Sequence, residues 1–239
     1  MVKKSVLSVF LVLFLVSCIS MKFESSVVED LTCLVHEIST EFTYTSYSSD
    51  PMEYTATATS YHIGGGYIVT CTHCTDFSTP TIVTYNYRFT LDGKPIELIG
   101  TYDDVALLYC EDLIGSPAVR FGDSSKLKQG DNIVNVGNSA MMGNNLKDGM
   151  VSIIGMDYPL FGNHKRTAAA SMVISIPVNG GDSGSPVFAK RNGQHYFVGM
   201  VYASHRGLQG YNVAFMSNYV KSAIEEIKST VTKPIVGQA

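Results

Sequence analysis

The chain has 239 residues, 45% of them hydrophobic and 16% charged, which excludes disorder as its main state and provides apolar material for a sizeable core. Seventeen basic against 21 acidic residues give a net charge of −4 with no basic block, which excludes a charge-driven nucleic-acid partner. Twenty-one glycines, 14 tyrosines and 11 phenylalanines, with almost no 3.6-residue periodicity before Ser217, favour an all-β fold of short strands and tight turns.

Lys3 and Lys4 precede an apolar run from Val6 to Val16, too short to cross a membrane comfortably and suited to the core of a signal peptide. The chain is therefore expected to be exported, with residues 1–17 as leader. The run ends Leu15-Val16-Ser17-Cys18, which resembles the bacterial lipobox, so Cys18 is the candidate lipidation site and the membrane a candidate partner. Residues 18–50 read as a tether and entry segment, polar and irregular apart from Val27 to Ile38, a first strand or short helix.

From Tyr54 onward short strands recur. Tyr54 to Ser60 alternates with period two, Gly64-Gly65-Gly66 turns, and Tyr67 to Thr70 continues a hairpin. Further strands are expected over Thr81 to Thr90, Pro95 to Gly100, Val105 to Cys110, Asn132 to Val136, Gly149 to Ile154, Ala169 to Ile176, Ser185 to Ala189, Tyr196 to Tyr202 and Tyr211 to Phe215. Such spacing suits barrels or sandwiches. Ser217 to Lys228 alone has a helical stripe, made by Val220, Ala223, Ile224 and Ile227, and residues 231–239 read as a tail.

Past Cys18 the cysteines are Cys33, Cys71, Cys74 and Cys110, which allow three pairings if all are oxidised. Cys71-Thr72-His73-Cys74 also reads as part of a zinc site, but structural zinc usually takes two clearly spaced ligand pairs and His73 has another use. No metal or cofactor is expected.

Asn179-Gly180-Gly181-Asp182-Ser183-Gly184-Ser185-Pro186 is the most informative stretch. A serine between glycines in a tight loop suits a nucleophile whose own N–H and that of a nearby glycine converge on one oxygen; the bland alternative is a polar surface turn. An α/β-hydrolase would need an acid between Ser183 and a later histidine, yet no Asp or Glu separates Ser183 from His195 or His205. His36, His62, His164, His195 and His205 have no motif around them and read as loop or strand-surface residues.

The Ser183 loop resembles the nucleophile loop of trypsin-like serine proteases, and the two upstream elements of that family stand in its order. Tyr67-Ile-Val-Thr-Cys-Thr-His73-Cys74 resembles the segment presenting the family's histidine, and Thr101-Tyr-Asp-Asp104-Val-Ala-Leu-Leu108 its acidic residue before a buried strand. Within the superfamily the chain is most similar to bacterial HtrA/Deg proteases: Leu146-Lys-Asp-Gly149-Met-Val-Ser152 resembles their threonine-glycine-X-valine-serine strand entry, and Ala214 to Lys221 their last strand running into a helix. Ser183 to Phe188 also resembles the secreted glutamyl endopeptidases.

The resemblance implies two antiparallel six-stranded β-barrels, the trypsin-like (chymotrypsin) fold, over residues 51–230, with a C-terminal helix. It implies a serine endopeptidase acting on proteins or peptides through His73, Asp104 and Ser183, with Gly181 and Ser183 supplying the oxyanion hole. Asp103 competes with Asp104, which directly precedes the apolar run. Pro177, Val178, Val201 and Tyr202 are expected to wall the substrate pocket, with no carboxylate in the first segment to receive Lys or Arg. The alternative is a silent protease-fold lipoprotein that binds extended peptides. Two departures stand out: the chain stops too soon for the PDZ domain usual in HtrA, and Asp182 replaces the usual Asn. Asp182 is therefore expected to meet an internal cation, with Lys190, Arg191, Arg166 and Arg88 as candidates.

Overall fold

A computed structural model describes residues 29–46, 50–155, 170–204 and 210–231. Twelve strands close into two antiparallel six-stranded barrels, as the resemblance implied. The first barrel holds β1 (Val35–Ser46), β2 (Met52–Gly64), β3 (Tyr67–Thr70), β4 (Ile82–Leu91), β5 (Lys94–Tyr102) and β6 (Val105–Tyr109), in the order β1-β2-β3-β6-β5-β4. The second holds β7 (Asn132–Gly137), β8 (Asn145–Ile154), β9 (Ser171–Ile174), β10 (Pro186–Arg191), β11 (Gln194–Ser204) and β12 (Asn212–Met216), in the order β10-β11-β12-β9-β8-β7. Residues 1–28 with Cys18, His164, Arg166, His205 and residues 232–239 lie outside the described residues.

Two of the boundaries that differ from expectation bear on the site. Val35–Ser46, placed within the tether, is the first strand of the first barrel and pairs with both β2 and β4. Its inward seats alternate as Ile38, Thr40 and Phe42, and the Thr40 hydroxyl, buried at 0% exposure, donates to Cys74 O at 2.7 Å. A threonine so satisfied serves as a core residue but reads as polar in sequence. β8 begins at Asn145 rather than Gly149, and its pairing Asn135↔Lys147 brings Lys147 beside the second barrel's interior.

Helix α1 (Ser217–Thr230) buries the expected stripe of Val220, Ala223, Ile224 and Ile227 and packs on β5 and β6 of one barrel and β11 and β12 of the other. Each buried Val or Ile side chain contributes about 1.5–3 kcal/mol, so the helix clamps the barrels together. A shared core extends the clamp: Tyr61 of β2 lies 4.7 Å from Phe197 of β11, ring centre to ring centre. The two barrels thus form one body, and the seam between them is where the chemical motifs converge.

Candidate active site

His73 sits on a short 3-10 turn (Thr72–Cys74) directly after β3, and Asp104 on the tight β5–β6 turn. The turn brings them together. His73 Nδ1 lies 3.0 Å from both Asp104 oxygens, and the His73 backbone N–H donates to Asp104 Oδ1 at 2.9 Å. Thr72 N–H donates to Asp104 O at 3.1 Å, tying the two turns by backbone as well. Asp103 points elsewhere: it adopts φ 50° and accepts a hydrogen bond from Tyr219 of α1. The pairing fixes the His73 tautomer, with Nδ1–H toward Asp104 and Nε2 left as the basic nitrogen.

Ser183 lies in the loop before β10, and the opposite barrel grips that loop. Thr59 of β2 donates through N–H to Ser183 O at 3.0 Å and through its hydroxyl to Gly181 O at 2.7 Å. Gly184 N–H donates to Val201 O at 2.8 Å, and Val201 N–H to Ser185 O at 2.9 Å. Asn135 Nδ2 donates to Ser185 Oγ at 2.7 Å and Pro186 O at 2.9 Å. The glycines are required here: Gly184 has φ +84°, and a Cβ on it would strike Thr59 O and Thr70 Oγ1, three residues before His73. The loop is therefore pressed against the strand that presents His73.

Among the described residues, the N–H groups of Gly181 and Ser183 and the Ser183 hydroxyl make no hydrogen bond. Two unpaired donors in one tight turn can bind an oxyanion. The Ser183–His73 link is open here, and such contacts commonly close only around a reacting group.

Asp182 is fully buried, and its cation is Lys147, at 2.7 Å. Of the four basic residues expected from sequence, the three described ones do not fill this place: Arg191 pairs with Asp131, Arg88 pairs with Glu41 and Lys190 is exposed, while Arg166 lies outside the described residues. Asp182 Oδ2 also accepts from Asn179 N–H at 2.9 Å and from the Ser139 hydroxyl, which Lys147 Nζ approaches to 2.6 Å. The carboxylate beneath the loop is thus held by one cation, one hydroxyl and one amide, as a buried charge requires.

Two further expectations are corrected. Val201 and Tyr202 are core residues rather than open pocket walls: Val201 is 0% exposed inside the second barrel, and Tyr202 stacks on Phe215 at 3.8 Å. A register shift on β11 between Val201 and Ala203 accompanies burial of both neighbours. Pro177 is exposed and Val178 half-buried, so of the four only these two are available to a ligand. His62, expected on a surface, is fully buried, with Nδ1 2.8 Å from Pro117 O and Nε2 accepting from Gly66 N–H.

The described cysteines are all thiols. Cys33 is exposed and Cys110 buried, while Cys71 and Cys74 flank His73 at 0% and 5% exposure. A hydrogen bond from the Cys71 thiol to the Cys74 sulfur lowers the Cys74 pKa against the opposing effect of burial, and His73 lowers it further. Burial raises the Cys71 thiol well above its ordinary value. Partial desolvation alone would lower His73, but the Cys74 sulfur and the Asp104 carboxylate outweigh it and raise His73 well above 6.5.

Residues 57–200 match the trypsin-like peptidase domain family. The chain is 29% identical over 168 residues to a probable periplasmic serine endoprotease DegP-like of Marinomonas sp., covering 69% of this chain and 34% of that protein. It is 24% identical over 233 residues to the serine protease Do-like HtrA of Bacillus subtilis, covering 89% of this chain and 51% of that protein. It thus spans about a third to a half of the length of these curated relatives. The solved HtrA-type protease AlgW with decapeptide superposes with a TM-score of 0.64 at 19% identity, covering 85% of this chain and 66% of that one.

Proposed function

We propose, for a chain that belongs to the trypsin-like peptidase family, that it is an exported serine endopeptidase whose triad is His73, Asp104 and Ser183. The observation that carries the reading is the His73–Asp104 pair at 3.0 Å, together with a glycine-flanked serine loop that is pressed against the strand before His73 and has two N–H groups unpaired among the described residues. Ser183 Oγ attacks the scissile carbonyl while His73 Nε2 takes its proton. The oxyanion is held by the N–H groups of Gly181 and Ser183, and Asp104 stabilises the imidazolium. The same proton then goes to the leaving amine, the acyl-enzyme forms, and water activated by His73 releases it. Every role in this sequence is taken by a side chain or a backbone amide. Extended peptide is the substrate class that the geometry and the HtrA-type neighbour bound to a decapeptide support.

The test is covalent labelling by a fluorophosphonate, which a silent peptide-binding module would not show. Its pH dependence carries a sign. The base works only as neutral imidazole, and its raised pKa favours the charged form, so labelling should climb with pH through a midpoint above 6.5. Cys74→Ser removes a sulfur that helps to hold the proton on His73, so the midpoint should move to lower pH. A midpoint at or below 6.5, unmoved by the substitution, would contradict this account.

Export rests on the leader of residues 1–17, and membrane attachment on Cys18. The periplasmic relatives favour the first. In a bacterial host the chain should take up labelled fatty acid, and Cys18→Ala should abolish uptake; a soluble mature protein starting beyond Cys18 would leave export without an anchor.

A further inference from the structure

Cys71 and Cys74 carry out no bond-making or bond-breaking step of the proposed hydrolysis, yet both lie against its base. The Cys74 N–H donates to Cys71 O at 3.0 Å, so the backbone turns back on itself between them. The two sulfurs and one His73 ring nitrogen consequently all lie within 4.8 Å of one another. Cys71 Sγ also reaches Val201 O at 3.4 Å, the carbonyl that receives the Gly184 N–H behind the nucleophile. Two thiols and an imidazole form a complete three-ligand set for a metal that keeps a fourth position open.

We propose that Cys71, His73 and Cys74 form a binding site for a thiophilic divalent metal ion of the zinc class, and that filling it switches the protease off. Tetrahedral zinc, with bonds of about 2.3 Å to sulfur and about 2.0–2.1 Å to nitrogen, holds such donors about 3.5–3.8 Å apart, so they need close by only about 1 Å. The His73 side chain, 46% exposed, offers the ion a way in that the buried sulfurs lack. Either ring nitrogen serves the switch. Nε2 is the atom that would take the Ser183 proton, and Nδ1 is the atom Asp104 holds, so metal on either removes the base. The ion is an inhibitor here and takes no part in hydrolysis.

The switch rests on the triad reading; the site itself does not, and the experiment separates them. The full chain, kept reduced with a phosphine, is titrated with cobalt(II). The expected result is a thiolate-to-cobalt charge-transfer band with the visible bands of a tetrahedral ion, saturating at one ion per chain and bleached by zinc. Zinc should slow fluorophosphonate labelling over the same range, and a chelator should restore it. Cys71→Ser/Cys74→Ser should lose the band and need more than about 100-fold more zinc for half-inhibition, since losing ligands costs more than the roughly 10–100-fold typical of outer-shell partners, each protein being compared with its own zinc-free rate. Where that double variant does not fold, Cys71→Ala is read in the same way. Cys33→Ser, at an exposed site, should keep the band.

Absence of the cobalt–thiolate band, or zinc inhibition undiminished in the double variant, would overturn the proposal. So would thiol titration finding Cys71 and Cys74 already joined as a disulfide in the exported protein, since such a pair has no thiolate to give. A chain that shows the band but is never labelled, zinc removed, would keep the metal site and refute the triad.

Discussion

Ser183→Ala should fold as the parent does and lose fluorophosphonate labelling and peptide hydrolysis altogether, a drop of about 10⁶-fold in turnover. His73→Ala should cost about as much, and the double variant little more, because nucleophile and base act as one unit. Asp104→Asn should leave the fold intact and cost about 10⁴-fold, through loss of the tautomer that the 3.0 Å contact selects. Asp103→Asn should be mild, since its carboxylate meets Tyr219 of α1 rather than His73. Labelling that survives Ser183→Ala would refute the nucleophile, and a severe Asp103→Asn beside a mild Asp104→Asn would reverse the choice of acid.

The parts of this site that were legible in the sequence are those whose chemistry is local. A serine between glycines, a histidine closing an apolar strand and an aspartate opening another each carry a signature within a few residues. The strands past residue 54 were legible for the same reason, since turn residues punctuate short alternating runs. What remained hidden depends on contacts made across the fold. β1 read as tether because Thr40 takes a core seat, and its hydroxyl is satisfied only by Cys74 O, distant in sequence. Lys147 read as part of a strand entry because an isolated lysine signals solvent. Only the pairing of β8 with β7 carries it under the Ser183 loop. The burial of Val201 and Tyr202 was equally hidden: alternation predicts one inward and one outward residue, and here both sides of β11 are covered, one by the second barrel's core and the other by the shared core.

Lys147→Met should be the most damaging change outside the three residues proposed to react. It leaves the Asp182 carboxylate at 0% exposure with one hydroxyl and one amide for company. Removing one partner of a buried ion pair typically costs about 3–5 kcal/mol. The loop can avoid part of that cost only by carrying Asp182 toward water, and Asp182 stands between Gly181 and Ser183, the two residues whose N–H groups would hold the oxyanion. Loss of one such donor costs about 10²–10³-fold, so turnover should fall by at least that factor even in the molecules that remain folded. Lys147→Met/Asp182→Asn should recover much of the lost stability, because the second change removes the stranded charge; a denaturant melt of the four-protein cycle gives the coupling directly. Recovery of turnover should be smaller, since an amide cannot repeat every contact of the carboxylate. The internal cation also makes a freed N-terminal amine unnecessary. Versions of the chain that begin at different residues ahead of Leu31 should therefore label at equal rates. Dependence of labelling on one particular exposed N-terminal residue, or a harmless Lys147→Met, would show that Asp182 draws its counter-charge from elsewhere.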